Sequence, residues 1–161
     1  MNMIRKVILY GVLLLSWSSV LKLDKDTFKR YLPVGTFTSI IFTLLSKINE
    51  NQKWWKVTQP IFSKLPANFP FAYGPFLFLP IWVFKYTFGR FWVYSITNAA
   101  LGYLFAYPIT NFFEKLGVYR MRRMTRNQLF LLSFSSAIVI YLYQVFINDV
   151  FKENPGQENR L

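Results

Sequence analysis

The sequence predicts an all-α integral membrane helix bundle of about five transmembrane helices, on three observations. The first is a pair of apolar stretches, FPFAYGPFLFLPIWVFKYTF and FWVYSITNAALGYLFAYPITNFF, which run from Phe69 to Phe113 and are parted only by Gly89 and Arg90. Each has the roughly 20 residues that a hydrocarbon core of about 30 Å demands of a helix. The second is that three more apolar segments accompany this pair in a chain of 161 residues, which as a water-soluble domain would have nowhere to bury them all. The third is charge placement: all seven acidic residues and almost all nineteen basic ones lie between the apolar segments or at their ends, where membrane proteins keep them.

Composition agrees. The chain is 53% apolar and 20% aromatic, with only 16% charged residues. Its mean hydropathy of +0.26 is modest, because that index treats Trp and Tyr as nearly neutral and the connections are rich in Lys and Arg. A net charge of +12 invites a nucleic-acid partner, since basic patches neutralise phosphates. Here the basic residues punctuate apolar segments, so the charge reads as topology and as attraction to anionic headgroups, with no nucleic acid expected. The chain has no Cys and no His. Thiol chemistry, disulfides, Cys/His metal sites and His-based triads are therefore excluded.

Taken in order, the elements form one transmembrane domain over residues 1–151, with spans near 7–23, 31–48, 69–88, 91–113 and 129–148 and a disordered polar tail at 152–161. Arg5 and Lys6 precede the first apolar run, which reads as an uncleaved membrane helix; a cleaved signal peptide is the alternative, but the cleavage pattern is poor. Lys22, Asp24, Lys25 and Asp26 end it. Lys29 and Arg30 open the second segment, where Pro33 is expected in the first turn. Gly35, Ser39 and Thr43 recur every four residues, a small face that admits a neighbouring helix.

The stretch from Asn49 to Asn68 is polar, with Trp54 and Trp55 between Lys53 and Lys56. Trp beside Lys marks headgroup level, so a loop lying on the membrane surface is expected. The third segment carries Pro70, Pro75 and Pro80, and is bent or starts properly only at Pro75. The fourth is placed at the centre of the bundle, because Ser95, Ala99, Gly102 and Ala106 form a stripe of small side chains that serves as a helix-packing face. Asn98 adjoins that stripe and needs an intramembrane partner. A basic connection from Glu114 to Gln128 follows, and then the fifth segment with Ser133, Ser136 and Ala137 on a small face.

Counting Lys and Arg gives eleven on the side of the N-terminus and eight on the other. That bias favours a cytoplasmic N-terminus in a multi-pass plasma-membrane protein.

Little chemistry is available. None of the seven carboxylates lies mid-membrane, which removes the proton relay of a coupled carrier and the ligands of a di-metal bundle. Asp24-Lys25-Asp26 has the spacing of a metal–phosphate pair, but among four basic neighbours it reads as a mixed-charge helix end. No phosphate-binding Gly-rich loop or nucleophile elbow occurs. No catalytic residue, cofactor or metal is expected. Lys85 and Asp149 fall near one membrane face, and Lys85 is expected to pair with Asp149 or donate to Asn98, unless it snorkels to the headgroups.

The runs KRYLPVGTFTS, KWWKVTQPIF, GPFLFLPIWVFKYTFGRFWVYSITN and AYPITNFFEKLGVYR, between Lys29 and Gln144, resemble a family of small uncharacterised multi-pass membrane proteins of Bacillus-type (spore-forming Firmicute) bacteria. The pieces that carry the resemblance are Tyr31-Leu32-Pro33, Gly74-Pro75, Ile81-Trp82 to Lys85, Ala106-Tyr107-Pro108 and Lys115-Leu116-Gly117. The resemblance implies a plasma-membrane location and transfers no functional residue. Two functions are then expected. The first is a non-enzymatic scaffold or accessory subunit that meets the lipid bilayer and another membrane protein, or itself, through small-residue faces. The second is a carrier or binder of a lipid or other apolar small molecule, marked by a polar cavity near Asn98, Asn111 and Lys85.

Overall fold

The computed structural model describes residues 2–58 and 67–152. The tail beyond Lys152, with most of the stretch that holds Pro60, Lys64 and Pro66, lies outside the described residues. Among the described residues the fold is all-α, apart from two three-residue strands. Two helices among the described residues are long and apolar enough to cross a membrane, Lys25–Gln52 and Arg126–Val150.

Helix α1 spans Asn2–Val20 and α2 spans Lys25–Gln52. The second helix begins well before the apolar segment does, because Asp24 is its N-cap: the carboxylate accepts from the Thr27 N–H at 3.0 Å and satisfies a donor that has no intrahelical partner. Pro33 consequently lies inside α2 and not in its first turn. Strand β1, Trp55–Val57, follows. The third apolar segment is divided into a short helix α3, Phe69–Ala72, and α4, Pro75–Thr87. Pro70 and Pro75 each sit in the first turn of a helix, where a missing N–H costs nothing.

The fourth segment runs as α5, Phe91–Leu104, a π turn, Phe105–Ile109, and α6, Thr110–Lys115, without a gap. The wide turn contains Pro108, which removes one backbone donor. The Thr110 N–H and its Oγ1 both donate to the Phe105 carbonyl, the hydroxyl at 2.7 Å. Strand β2, Tyr119–Met121, and helix α7, Arg126–Lys152, complete the chain.

The stretch read from the sequence as a surface loop and the later basic connection are joined to each other. β1 and β2 pair antiparallel, with Trp55 opposite Met121, Lys56 opposite Arg120 and Val57 opposite Tyr119. Both strands alternate apolar and basic residues, the period-2 pattern of a strand with one buried face. Trp55, Val57 and Tyr119 face inward and join Leu9, Phe71 and Leu129 in one apolar core, so the strand pair caps one end of the helices. Asn49 anchors it: its amide donates to the Trp55 carbonyl at 3.0 Å and its carbonyl accepts from the Trp55 N–H at 2.8 Å.

A second core, built on Val34, Ile81, Phe84, Tyr94 and Ile140, lies toward the other end. The central helix is α4, which packs on α1, α2, α3 and α5, whereas α5 packs mainly on α7. This differs from the expected central place of the fourth segment. The small face of α2 is the reason: Gly35 lies against the α4 backbone at Leu77, and Ser39 Oγ donates to the Ala72 carbonyl at 2.7 Å.

Candidate functional site

Helix α4 touches the start of α5 and the π turn that follows α5, and leaves a hollow between. Next to their connecting turn the Phe84 and Tyr94 rings lie 4.8 Å apart, and toward the strand-capped end Phe76 meets Phe105 edge-on at 5.9 Å. The space between is a cavity of about 550 Å³, closed behind by α2 and α7. That is the size of a small-molecule site, roughly 300–1,000 Å³. Pro75 and Pro80 both line it.

Its wall is almost entirely apolar, because the polar groups on it are turned to their own helices. Thr38 Oγ1 donates to the Val34 carbonyl at 2.8 Å, Ser136 Oγ to the Leu132 carbonyl at 2.8 Å, and Asn98 Nδ2 to the Tyr94 carbonyl at 2.9 Å. The Tyr94 hydroxyl crosses to α7 and donates to the Ala137 carbonyl at 2.8 Å. Such an interior favours a hydrocarbon occupant, since a polar one would lose hydrogen bonds to water and regain few. Leu79, 46% exposed, and Phe112, 58% exposed, belong both to the wall and to the outer surface. The cavity therefore opens sideways, between α4 and α6, the helix that continues α5.

A smaller void of about 30 Å³ lies under the strand pair, among Phe42, Trp55, Phe71, Phe105 and Tyr119. Burial, with the Glu114 carboxylate as a lesser cause, pushes the Tyr119 hydroxyl pKa above its ordinary value. Its proton reaches only the Met121 sulfur, at 3.3 Å. Glu114 itself bonds Arg126 at 3.1 Å and accepts from the Met121 N–H at 2.8 Å.

The residues singled out from the sequence are distributed as follows. Asn98, Gly102 and Ser133 line the cavity. Gly102 lies against Phe130 and Ser133 of α7, Ala106 is fully buried, Ala99 is half-buried, and Ser95 Oγ is buried without a hydrogen-bond partner. Lys85 and Asn111 do not line the cavity. Asn111 accepts from Arg126.

Lys85 pairs with neither expected partner. Its ammonium lies 2.9 Å from Asp24 Oδ1, while Asp149 is exposed on α7 and takes no part in the pair. The reason is that Asp24, fixed as the α2 cap, sits where α4 ends. Bonds from Thr27 and then from Lys85 hold the Asp24 carboxyl well below the usual carboxylate range. The sequence signal for this role was an Asp three residues before Thr27 at a helix start. Among the described residues no group of acidic side chains could hold a metal ion.

Comparisons with known proteins give no match: no family model, no curated protein and no solved structure corresponds to the chain.

Proposed function

We propose that this chain is a multi-pass membrane protein that binds a lipid or other apolar small molecule in the cavity between α4 and α5. Two observations support the membrane. The outer faces of the helices carry large apolar side chains, among them Leu15 at 74% and Trp92 at 76% exposure, with Ile96, Leu131, Leu142 and Phe146 also exposed. Large apolar side chains exposed on several helices fit a hydrocarbon solvent. Pairing of β1 with β2 also gathers the two basic connections at the end that holds the N-terminus, which favours that end as the cytoplasmic one. The resemblance to Bacillus-type membrane proteins supports a bacterial plasma membrane.

The single observation that carries ligand binding is the apolar cavity with its lateral mouth. A hydrocarbon chain entering between Leu79 and Phe112 would leave the bilayer without crossing water. The scaffold reading draws on small-residue faces, yet those of Gly35 and Gly102 are occupied inside the chain by α4 and α7. A partner would have to use other surfaces.

The test is native mass spectrometry of protein extracted in mild detergent, beside a Leu101→Trp variant, since Leu101 lines the cavity. The parent should retain an apolar molecule through delipidating washes and the variant should lose it while keeping its helical content. A parent that carries nothing, or a variant that retains the same species, refutes the assignment.

A further inference from the structure

The outward face of the strand pair is an unbalanced cluster of cations. Lys56 and Arg120 are direct cross-strand partners, and both are exposed. Side chains so placed have Cβ atoms about 4.5–5.5 Å apart, and like charges there destabilise the pair. Three more exposed cations flank them. Arg122 follows β2, its N–H donating to the Trp54 carbonyl at 2.9 Å, and the Arg123 N–H reaches the Lys53 carbonyl at 3.4 Å, which brings Lys53 to the same place. None of the three ion pairs among the described residues includes any of these five. Of the neighbouring carboxylates, Glu114 is engaged by Arg126 and by the Met121 N–H, and Glu50, in the last turn of α2, lies 4.0 Å from Lys47.

The level of this cluster is set by α2. Trp55 stacks on Phe42 with ring centroids 6.4 Å apart, and its backbone is held by Asn49. The strands thus lie beside the last turns of α2, where its apolar run ends at Ile48 and charged residues begin. In a bilayer that is the depth of the headgroups.

The geometry points to a binding site for anionic phospholipid headgroups on the outer face of the strand pair, with Lys56 and Arg120 at its centre and Lys53, Arg122 and Arg123 around it. This rests on the membrane reading above but not on the cavity. A phosphodiester placed between Lys56 and Arg120 converts their repulsion into two charge-assisted contacts, and Arg can meet it with two parallel N–H donors. The occupant is a lipid of the surrounding leaflet and not a soluble anion, because the site sits at the membrane's own level.

The experiment measures the thermal midpoint of detergent-solubilised protein as phosphatidylglycerol or phosphatidylcholine is added, with inorganic phosphate as a further arm. Phosphatidylglycerol should raise the midpoint in a saturable, salt-sensitive way, and phosphatidylcholine and inorganic phosphate should not. A Lys56→Ala/Arg120→Ala variant should bind phosphatidylglycerol at least about tenfold more weakly, as expected for two basic groups removed from an anionic surface. In neutral detergent without lipid, the same variant should melt no lower than the parent, because the repulsion is gone. A Lys25→Ala/Lys29→Ala variant, altered at the opposite end, should respond to lipid as the parent does. Equal stabilisation by either lipid, an effect of phosphate alone, or a full response in the Lys56→Ala/Arg120→Ala variant overturns the proposal. Failure of the membrane reading would show separately, as protein that stays folded and monodisperse without detergent.

Discussion

Gly35 of α2 lies so close to Leu77 of α4 that a Cβ at that position would overlap the Leu77 carbonyl oxygen. The obstacle is backbone, so it cannot rotate aside. Ile81, with two side-chain carbons 3.2 Å from the same point, completes the contact. Close approach of this kind raises dispersion between helices, the main attraction left when the surrounding lipid is as apolar as the side chains.

Replacing Gly35 by Ala should therefore push α2 from α4 and cost about 1–3 kcal/mol, the usual range for overpacking a filled interface. Thermal unfolding in detergent should show the loss, and Gly35→Leu should exceed it. A midpoint unchanged in Gly35→Ala would refute the packing.

Gly102 should behave in the opposite way. A Cβ there would stand 3.5 Å from Phe130 and 3.8 Å from Ser133, ordinary van der Waals spacing. Gly102→Ala should stabilise by about 0.5–1 kcal/mol through reduced backbone entropy in the unfolded chain. The sequence placed both glycines on small helix-packing faces without ranking them, and a melting comparison of the two Ala variants decides the order.

The link between Asp24 and Lys85 predicts a pH dependence. The Asp24 carboxyl is held below its ordinary pKa by Thr27 and Lys85, so the native state binds its proton less readily than the unfolded state does. Its stabilising contribution is complete above the ordinary carboxylate value near pH ~3.9 and is lost as pH falls from there through the native pKa. The melting midpoint should decline below about pH 4, and Lys85→Met should flatten that decline. Identical slopes in parent and variant would remove the Lys85 contact as a source of the decline.

Asn49→Ala should release the strand pair. The substitution leaves the Trp55 N–H and carbonyl, both now bonded to the buried Asn49 amide, without those partners. Each stranded group costs about 1–3 kcal/mol. Limited proteolysis between residues 53 and 58 should become faster, and Trp fluorescence should shift to the red. Unchanged cleavage would mean that the strands hold without Asn49.

The positions of the helices were legible in the sequence, and the physical reason is that hydropathy is local. A run such as Phe91 to Phe113 declares its preference for a non-aqueous partner residue by residue, whatever the rest of the chain does. Pro75 likewise marks a helix start through its own missing donor, although the same argument misplaced Pro33, which lies inside α2. Charges, too, had to lie at the ends of apolar runs. What could not be read was which ends meet. Lys85 found Asp24, 61 positions earlier, and Lys56 found Arg120 across four helical segments. The strand alternation was present in Trp55-Lys56-Val57 and in Tyr119-Arg120-Met121, but three residues are too few to announce a strand without a partner. The cavity is still less local. It is space left over when α4 is drawn onto α2 by Gly35 while α5 follows α7, and no single segment encodes the gap between two such preferences. Sequence alone determined what each segment is; tertiary packing decided what each touches, because contact energies belong to pairs and hydropathy to single residues.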